Sequence, residues 1–205
     1  MKKNILIIAF TLASVAAANA QGSFWSFSYP MSMAFGETAE FVGQTSFRGF
    51  GIDGRSFIND NLSIGGLASW EVFDEIKYGL PPQPITDENG NVVGQRSGTP
   101  YTYLNTIPLM VNTHYYTGSY GAVQAFFGLG VGTIYVDERE DVGLFTTQTK
   151  KWRFGVQPEV GVYIPFGLSS SGATVSLKYR YGTKAGNETR EVNMMSLSIG
   201  LGFMN

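Results

Sequence analysis

The stretch "EVNMMSLSIGLGFMN" (191–205) decides the fold. Large apolar side chains alternate in it with Ser and Gly. An alternation with a period of two predicts a β-strand that has one large apolar face and one face of small residues. Such a strand needs neighbouring strands to satisfy its backbone hydrogen bonds, and its two faces must contact two different environments.

The composition of the chain is unusual for a water-soluble protein. Charged residues make up only 15%, against about 25% in ordinary soluble domains. Glycine occurs 26 times, aromatic residues make up 14%, and there is no cysteine, which excludes a disulfide framework and a lipid-anchored cysteine. A surface with so little charge indicates contact with something other than water.

The first twenty residues have the pattern of an export signal. Two lysines precede an apolar stretch over residues 5–18, and residues 18–20 (Ala-Asn-Ala) form a small-residue cleavage site. We therefore predict a Sec signal peptide over residues 1–20, cleaved after Ala20, and a single domain over residues 21–205. An uncleaved membrane anchor is the alternative, for which the apolar stretch is short. Removal of the signal peptide takes away two of the 14 basic residues, which leaves 12 basic and 16 acidic residues. The resulting net charge of −4 gives no indication of nucleic-acid binding.

Strand-like segments and turn signals alternate along the rest of the chain. Short connections, such as "NDN" (59–61) and "FGLSSS" (166–171), alternate with longer or more charged ones, such as "DEREDVGLFTTQ" (137–148). This arrangement is typical of an up-and-down barrel in an outer membrane, so we predict an all-β, eight-stranded antiparallel transmembrane β-barrel. The predicted strands cover residues 24–35, 45–58, 62–74, 101–113, 121–136, 149–165, 172–182 and 191–204.

Most of these segments have one apolar face and one face of Gly, Ser, Thr and scattered charges. A soluble barrel would turn the apolar face inward and would carry many Lys and Glu residues outside, which the polar face lacks. A membrane barrel turns its apolar face to lipid and places aromatic residues near both edges of that face. We therefore expect the apolar face outside, with an aromatic girdle of Trp70, Tyr135, Trp152, Tyr163, Tyr181 and Phe203.

The segment over residues 45–58 fits this pattern least well. Phe50 and Ile52 would face one way and Asp53 the other, but Arg48 then falls on the apolar side. Arg48 would reach the polar face only if a β-bulge intervened.

The charges of the polar face would meet inside the barrel. An eight-stranded barrel has an interior just wide enough for side chains to fill it, so we predict a paired internal network. One register of the turn at 166–171 sets Glu159 opposite Lys178 and Gln157 opposite Arg180. A narrow path for small solutes or ions is the alternative. The predicted lumen network comprises Asp53, Arg55, Glu71, Arg153, Gln157, Glu159, Lys178 and Arg180.

No residue pattern points to catalysis, a metal or a cofactor, and we expect a non-enzymatic protein. His114, the only histidine, falls at the end of a predicted strand, where we expect an interfacial turn residue. A lipid-modifying enzyme would need His beside Ser or Asp at the opposite rim. The run "DERED" (137–141) lacks the spacing of a calcium loop, and we expect a solvated acidic loop there. The alternative for this run is a Ca²⁺ site or a divalent bridge to lipopolysaccharide.

The longest connection spans residues 76–100 and begins with a proline-rich segment. Asn89-Gly90 between two short β-prone pieces predicts a small exposed hairpin. A free hairpin edge can pair with a strand of a partner protein, whereas a variable surface loop is the alternative.

Several stretches carry a resemblance to a known family. The chain resembles the small outer-membrane β-barrel family of the OmpX/OmpA-barrel type, in its Bacteroidetes-like form. The resemblance implies an outer-membrane location in a Gram-negative cell and contact with outer-membrane lipid, lipopolysaccharide and the barrel-insertion machinery. It also implies a structural or interaction role in the cell envelope, in some cases within a larger assembly. The stretches are "GRSFINDNLSIGG" (54–66), "YLNTIPLMV" (103–111), "FGLGVG" (127–132), "PEVGVYIPFG" (158–167), "SLKYRYG" (176–182) and "SIGLGF" (198–203).

Overall fold

The computed structural model describes residues 22–79, 81, 83–87, 90–118, 121–167, 170–186 and 189–204. The predicted signal peptide and its cleavage site lie outside these residues. Eight antiparallel strands close into a barrel in the order β1-β10-β9-β8-β7-β6-β3-β2, which confirms the predicted fold, and β4 and β5 form a separate two-stranded sheet. The elements are β1 (Ser23–Ala34), α1 (Gly36–Phe41), β2 (Arg48–Phe57), β3 (Leu62–Ile76), β4 (Gln83–Thr86), β5 (Val92–Arg96), β6 (Pro100–Thr117), β7 (Gln124–Val142), β8 (Phe145–Pro165), β9 (Ser171–Gly182) and β10 (Val192–Met204).

Strand β10 closes the barrel between β9 and β1. Its pairing with β1 runs without interruption from Met194 to Met204. Leu197, Ile199 and Leu201 are exposed on the outer face, and the small residues between them face the interior. We call the end of the barrel that carries Phe24 and Met204 the lower end, and the end that carries α1 the upper end.

The outer face carries most of the predicted aromatic girdle. Trp70, Trp152 and Phe203 are exposed on this face. The ring of Tyr135 lies 5.2 Å from that of Trp152, centroid to centroid. Tyr181 lies half-buried on the outer face, opposite Val156.

The prediction for Tyr163 is wrong, because this side chain lies inside the barrel. It is only 3% exposed, and its ring meets that of Phe24 edge to face at 5.6 Å. The period of two along β8 explains the position, since Tyr163 shares its face with Glu159 and Gln157, which are both buried.

The prediction of a connection over residues 137–148, with a solvated acidic loop at 137–141, is also wrong. Strands β7 and β8 continue upward through this segment, and only Gly143 and Leu144 lie between them. The turn needs Gly143, whose φ of +59° is in the left-handed region. The outward charges Asp137 and Arg139 stand opposite Lys150 and Gln148 on β8, and β6 pairs with the other edge of the same segment, so the segment is a polar upward extension of the barrel wall.

No bulge shifts Arg48 to the polar face, because β2 and β3 pair in one continuous register. Arg48 lies on the outer face at the upper end of the barrel and forms a salt bridge of 3.1 Å with Asp74. An outward charge at the end of a strand can reach water above an apolar belt, so no bulge is needed.

Helix α1 and the residue after it cover the upper end of the interior. Phe41 and Val42 are buried there against side chains of the barrel wall. Among the described residues, no helix is long and apolar enough to cross a membrane. The upper apolar cluster comprises Ala34, Phe41, Val42, Leu67, Phe73, Leu104, Met110, Ile134, Val136, Val192 and Met194.

A second apolar cluster fills the lower end of the interior. Its rings pack against one another in tilted and edge-to-face contacts, as in the contact of 5.5 Å between the centroids of Tyr116 and Phe126. Inward glycines make room for such large groups: a Cβ on Gly161 would lie 2.5 Å from the Phe126 ring, and one on Gly202 would lie 2.8 Å from the Phe24 ring. The lower cluster comprises Phe24, Phe57, Tyr116, Phe126, Tyr163 and Met204.

Candidate functional site

The interior between the two apolar clusters is the candidate functional site. All eight residues of the predicted lumen network lie inside the barrel, and each of them is no more than 7% exposed. Seven of the eight form two connected groups, an upper ion group around Glu71 and a lower ion group around Glu159. Arg153 forms a separate pair near the upper end.

The upper ion group is built on the contact between Arg180 and Glu71. Arg180 Nη1 donates to Glu71 Oε1 at 2.8 Å, and Arg180 Nε donates to Gln157 Oε1 at 3.0 Å. The other carboxylate oxygen of Glu71 accepts hydrogen bonds from Ser32 at 2.7 Å and Ser196 at 3.2 Å. The carboxylate therefore has a charged partner and hydroxyl partners on strands β1 and β10, and so it links opposite parts of the wall.

The lower ion group joins two carboxylates and two cations. Arg55 donates to both oxygens of Asp53, from Nε at 2.8 Å and from Nη2 at 2.9 Å. Arg55 Nη2 also lies 3.9 Å from Glu159 Oε1, and Lys178 Nζ lies 3.7 Å from the same oxygen. Burial of this kind is stable only when each charge has a close partner, and each of these charges has one.

The predicted register between β8 and β9 is confirmed. Glu159 stands opposite Lys178 in the ladder. Gln157 and Arg180 approach one another across the same two strands through the hydrogen bond already described. The same register places Val160 opposite Leu177 on the outer face, so one alignment satisfies both faces.

Arg153 pairs with Glu138, a residue of the predicted connection over residues 137–148. Its Nη2 donates to Glu138 Oε1 at 2.6 Å, and its Nη1 donates to the carbonyl oxygen of Arg190. Since β7 extends upward through residue 138, the inward face of the extension supplies this carboxylate. With Glu138 included, four cationic and four anionic side chains balance one another in the two ion groups and this pair.

The prediction for His114 is wrong. Strand β6 continues to Thr117, and the His114 ring lies inside the barrel, 1% exposed. Its Nε2 is 3.2 Å from Glu159 Oε2. The period of two along β6, with Asn112, His114 and Tyr116 on one face, is the signal that could have placed it.

Two neighbours of His114 on β6 form hydrogen bonds with the lower ion group. Asn112 Nδ2 donates to Asp53 Oδ2 at 3.0 Å, and Arg55 Nη1 donates to the hydroxyl oxygen of Tyr116 at 2.6 Å. The Arg55 guanidinium also lies between two rings of the lower cluster, 5.1 Å from the Phe24 centroid and 5.0 Å from the Phe126 centroid. The lower ion group is thus continuous with the aromatic cluster beneath it.

One set of side chains in the described part of the chain has ligand atoms close enough for a metal ion. Single ligand atoms of Asp53, His114 and Glu159 lie within 4.8 Å of one another. However, Arg55 and Lys178 already contact these carboxylates, and their positive charges oppose the binding of a metal cation at this point. The donor set therefore fits an internal ion network better than a metal site.

The predicted small hairpin within residues 76–100 is present as the antiparallel pair β4–β5. Asn89 lies outside the described residues, but Gly90 has a φ of +83° and donates its N–H to the Asp87 carbonyl oxygen at 3.0 Å. Val92 and Val93 are 62% and 64% exposed on the hairpin. In the described part of the chain, neither strand of this hairpin pairs with the barrel.

Neither a protein-family model nor a curated protein matches the sequence. Several solved outer-membrane structures match the fold. The N-terminal β-barrel domain of OprF from Pseudomonas aeruginosa has 11% identity, with 91% of this chain and 98% of that chain covered and a TM-score of 0.51. Ail, the attachment invasion locus protein of Yersinia pestis, has 10% identity, coverage of 90% and 98%, and a TM-score of 0.52. The outer membrane protein OprG from P. aeruginosa has 13% identity, coverage of 91% and 97%, and a TM-score of 0.52.

These likenesses concern the fold, which is that of a small outer-membrane β-barrel. With identities of 10–13%, they carry over no activity, ligand or partner. The finer family resemblance, to a Bacteroidetes-like branch, stays a prediction.

Proposed function

We propose that the protein is a non-enzymatic β-barrel of the outer membrane with a lumen filled by side chains. In this proposal it acts as a structural or interaction component of the cell envelope, and its upper end faces the cell exterior. Export through Sec, with cleavage after Ala20, and contact with outer-membrane lipid, lipopolysaccharide and the barrel-insertion machinery are parts of the same proposal.

The filled interior is the observation that carries the proposal. Apolar clusters occupy both ends, and the two ion groups lie between them with each charged member in contact with an opposite charge. A pore would need a continuous polar path, and both clusters interrupt one. Catalysis would be supported by a nucleophile that is activated by a base. His114, the candidate base, instead contacts Glu159. Two cations, Arg55 and Lys178, already hold this carboxylate.

The outer surface supports a membrane location. Large apolar side chains from all eight barrel strands are exposed on the outer face, which in water would be costly. Lipid would cover this face, and the closed barrel leaves no unpaired strand edge within it. A narrow pore for small solutes or ions remains the alternative function, and conductance separates the two.

We further propose that a protein partner binds at the β4–β5 hairpin. An isolated two-stranded hairpin is marginally stable in water, and this one presents free strand edges and exposed valines above the barrel. A partner strand that adds to such an edge supplies the missing backbone hydrogen bonds.

Deletion of residues 82–98 tests the hairpin proposal. Lys77 N lies 3.0 Å from the Pro100 carbonyl oxygen, so the ends of the remaining loop are already close and the barrel should fold. We expect the variant to keep the mobility shift between unboiled and boiled samples on a denaturing gel. Affinity purification in mild detergent should recover the partner with the full chain and lose it with the variant. Equal recovery with both chains would place the partner site elsewhere.

A further inference from the structure

Strands β6, β7 and β8 form a wall that rises above the aromatic girdle on one side of the barrel. The outward side chains of this wall stand in rows across the three strands. The row of Ile107, Tyr135 and Trp152 belongs to the girdle. The next rows upward are Asn105, Asp137 and Lys150, then Tyr103, Arg139 and Gln148.

The lower of these two polar rows lies at the depth of lipid headgroups, and the upper row lies just outside that layer. A strand rises about 3.4 Å per residue and is tilted by about 40° in such barrels, so the two rows lie about 5 Å and 10 Å above the girdle row. The headgroup layer on each side of a bilayer is roughly 5–8 Å thick. Since the rows share the outward face with the lipid-facing residues, they open sideways toward neighbouring lipids.

Two cations of this wall, and Arg48 on β2 two strands away from β6, protrude beyond the carboxylates that hold them. The side chains of Arg48, Arg139 and Lys150 are 65%, 48% and 52% exposed, whereas those of their acidic partners Asp74, Asp141 and Asp137 are 27%, 25% and 19% exposed. A molecule beside the wall therefore meets positive charges first. Hydrogen bonds from Arg139 and Thr146 lower the pKa of Asp141, so this carboxylate stays ionised at neutral pH and fixes the guanidinium.

A pocket of about 260 Å³ lies on the wall beside Arg139, lined by Tyr103, Asn105, Asp137, Arg139 and Gln148. It combines an aromatic ring, two carboxamides, a carboxylate and a guanidinium. Carboxamides and a carboxylate can exchange hydrogen bonds with sugar hydroxyls, and an aromatic ring can pack on the apolar face of a sugar. Asp141 already contacts Nε and Nη2 of the Arg139 guanidinium, and a phosphate can accept a hydrogen bond from Nη1.

We propose that this outward pocket, with the protruding Arg48 and Lys150, binds the phosphorylated sugar headgroup of an outer-leaflet glycolipid. The proposal rests on the outer-membrane location proposed above and names one lipid class and one face of the barrel for the contact. Sugar hydroxyls bind at Asn105, Asp137 and Gln148, and the phosphates lie against the cations.

The test is lipid retention by the purified barrel, measured by native mass spectrometry in detergent. The probes are a bisphosphorylated glucosamine-disaccharide glycolipid (lipid A), its dephosphorylated form and phosphatidylglycerol. We expect lipid A to bind about tenfold more tightly than either of the other lipids, and Arg139→Gln and Lys150→Gln each to weaken it about five- to tenfold. Lys184→Gln is the matched control, because it removes one exposed cation of the upper end that pairs with Glu37, away from the pocket.

Three results would overturn the proposal: unchanged retention by Arg139→Gln and Lys150→Gln, an equal loss with Lys184→Gln, or equal binding of lipid A and phosphatidylglycerol. Unboiled and boiled samples on a gel confirm that each variant is folded. This lipid-binding result is independent of the conductance test of the closed lumen. A conducting barrel can still bind the glycolipid, and a closed barrel can fail to bind it.

Discussion

Replacing Glu159 by alanine is expected to destabilise the folded barrel by about 3–5 kcal/mol, the cost of leaving buried charges without their partner. Glu159 Oε1 is shared by Lys178 and Arg55, and its Oε2 contacts His114. The carboxylate therefore holds three groups in place. Urea titrations of the barrel in lipid vesicles measure the free energy of unfolding, with Asp60→Ala, in an exposed turn, as a control expected to change it by less than about 0.5 kcal/mol.

The double variant of Glu159 and Lys178 sharpens this prediction. Lys178→Ala alone should cost less than Glu159→Ala, because Glu159 keeps Arg55 as a charged partner. The double variant should lose less than the sum of the two single losses, since removing both members leaves fewer unpaired charges. Strict additivity with single losses of about 0–1 kcal/mol would instead mean that water screens the pair, and it would favour the pore.

Replacing Phe126 by alanine is expected to cost about 3–5 kcal/mol, the usual range for removing a buried aromatic side chain. Phe126 is 1% exposed, and its ring lies 5.6 Å from that of His114 and 5.0 Å from the Arg55 guanidinium. The change therefore opens a cavity in the lower cluster and removes a contact of the lower ion group.

The adjacent residue offers a matched control for this substitution. Phe127 lies on the outer face and is 58% exposed. Phe127→Ala removes the same atoms from the same strand, but lipid or detergent fills the space that the ring leaves. We expect it to cost less than half as much as Phe126→Ala in the same urea titration. Equal losses would mean that the interior of the lower end is not packed.

The period-two pattern of the sequence was sufficient to predict the barrel, its closing strand and the register of β8 on β9. These features depend on local alternation and on one short turn. Glu159 opposite Lys178 could be predicted because apolar pairs and charge pairs fall into the same alignment on opposite faces of the sheet.

Each misplaced segment or residue has its own cause. The charges at residues 137–141 indicate contact with solvent. A loop and a strand that extends above the girdle are both in contact with solvent, so the charge pattern does not distinguish a loop from a strand extension. The alternation of β6 continues to Thr117, and a strand that ends at residue 113 leaves His114 in a turn. The residue type of Tyr163 favours the girdle, but the period of two along its own strand places it on the inner face.

The contacts between distant strands were beyond the sequence pattern. Arg55 reaches Tyr116 and Arg180 reaches Glu71 across the interior, and such pairs depend on which inward side chains reach the same height of a closed barrel. Helix α1 was missed because six residues are too few to show helical periodicity.

The central claim is that the interior is closed, and planar-bilayer recording of the purified, folded barrel tests it most directly. A porin recorded in the same bilayers provides the positive control. With the two apolar clusters and the paired charges in place, the wild-type barrel is predicted to give no single-channel steps across the range of voltages at which the porin conducts. Stable steps of uniform size from the wild-type barrel would contradict the closed lumen and would identify the protein as a narrow pore.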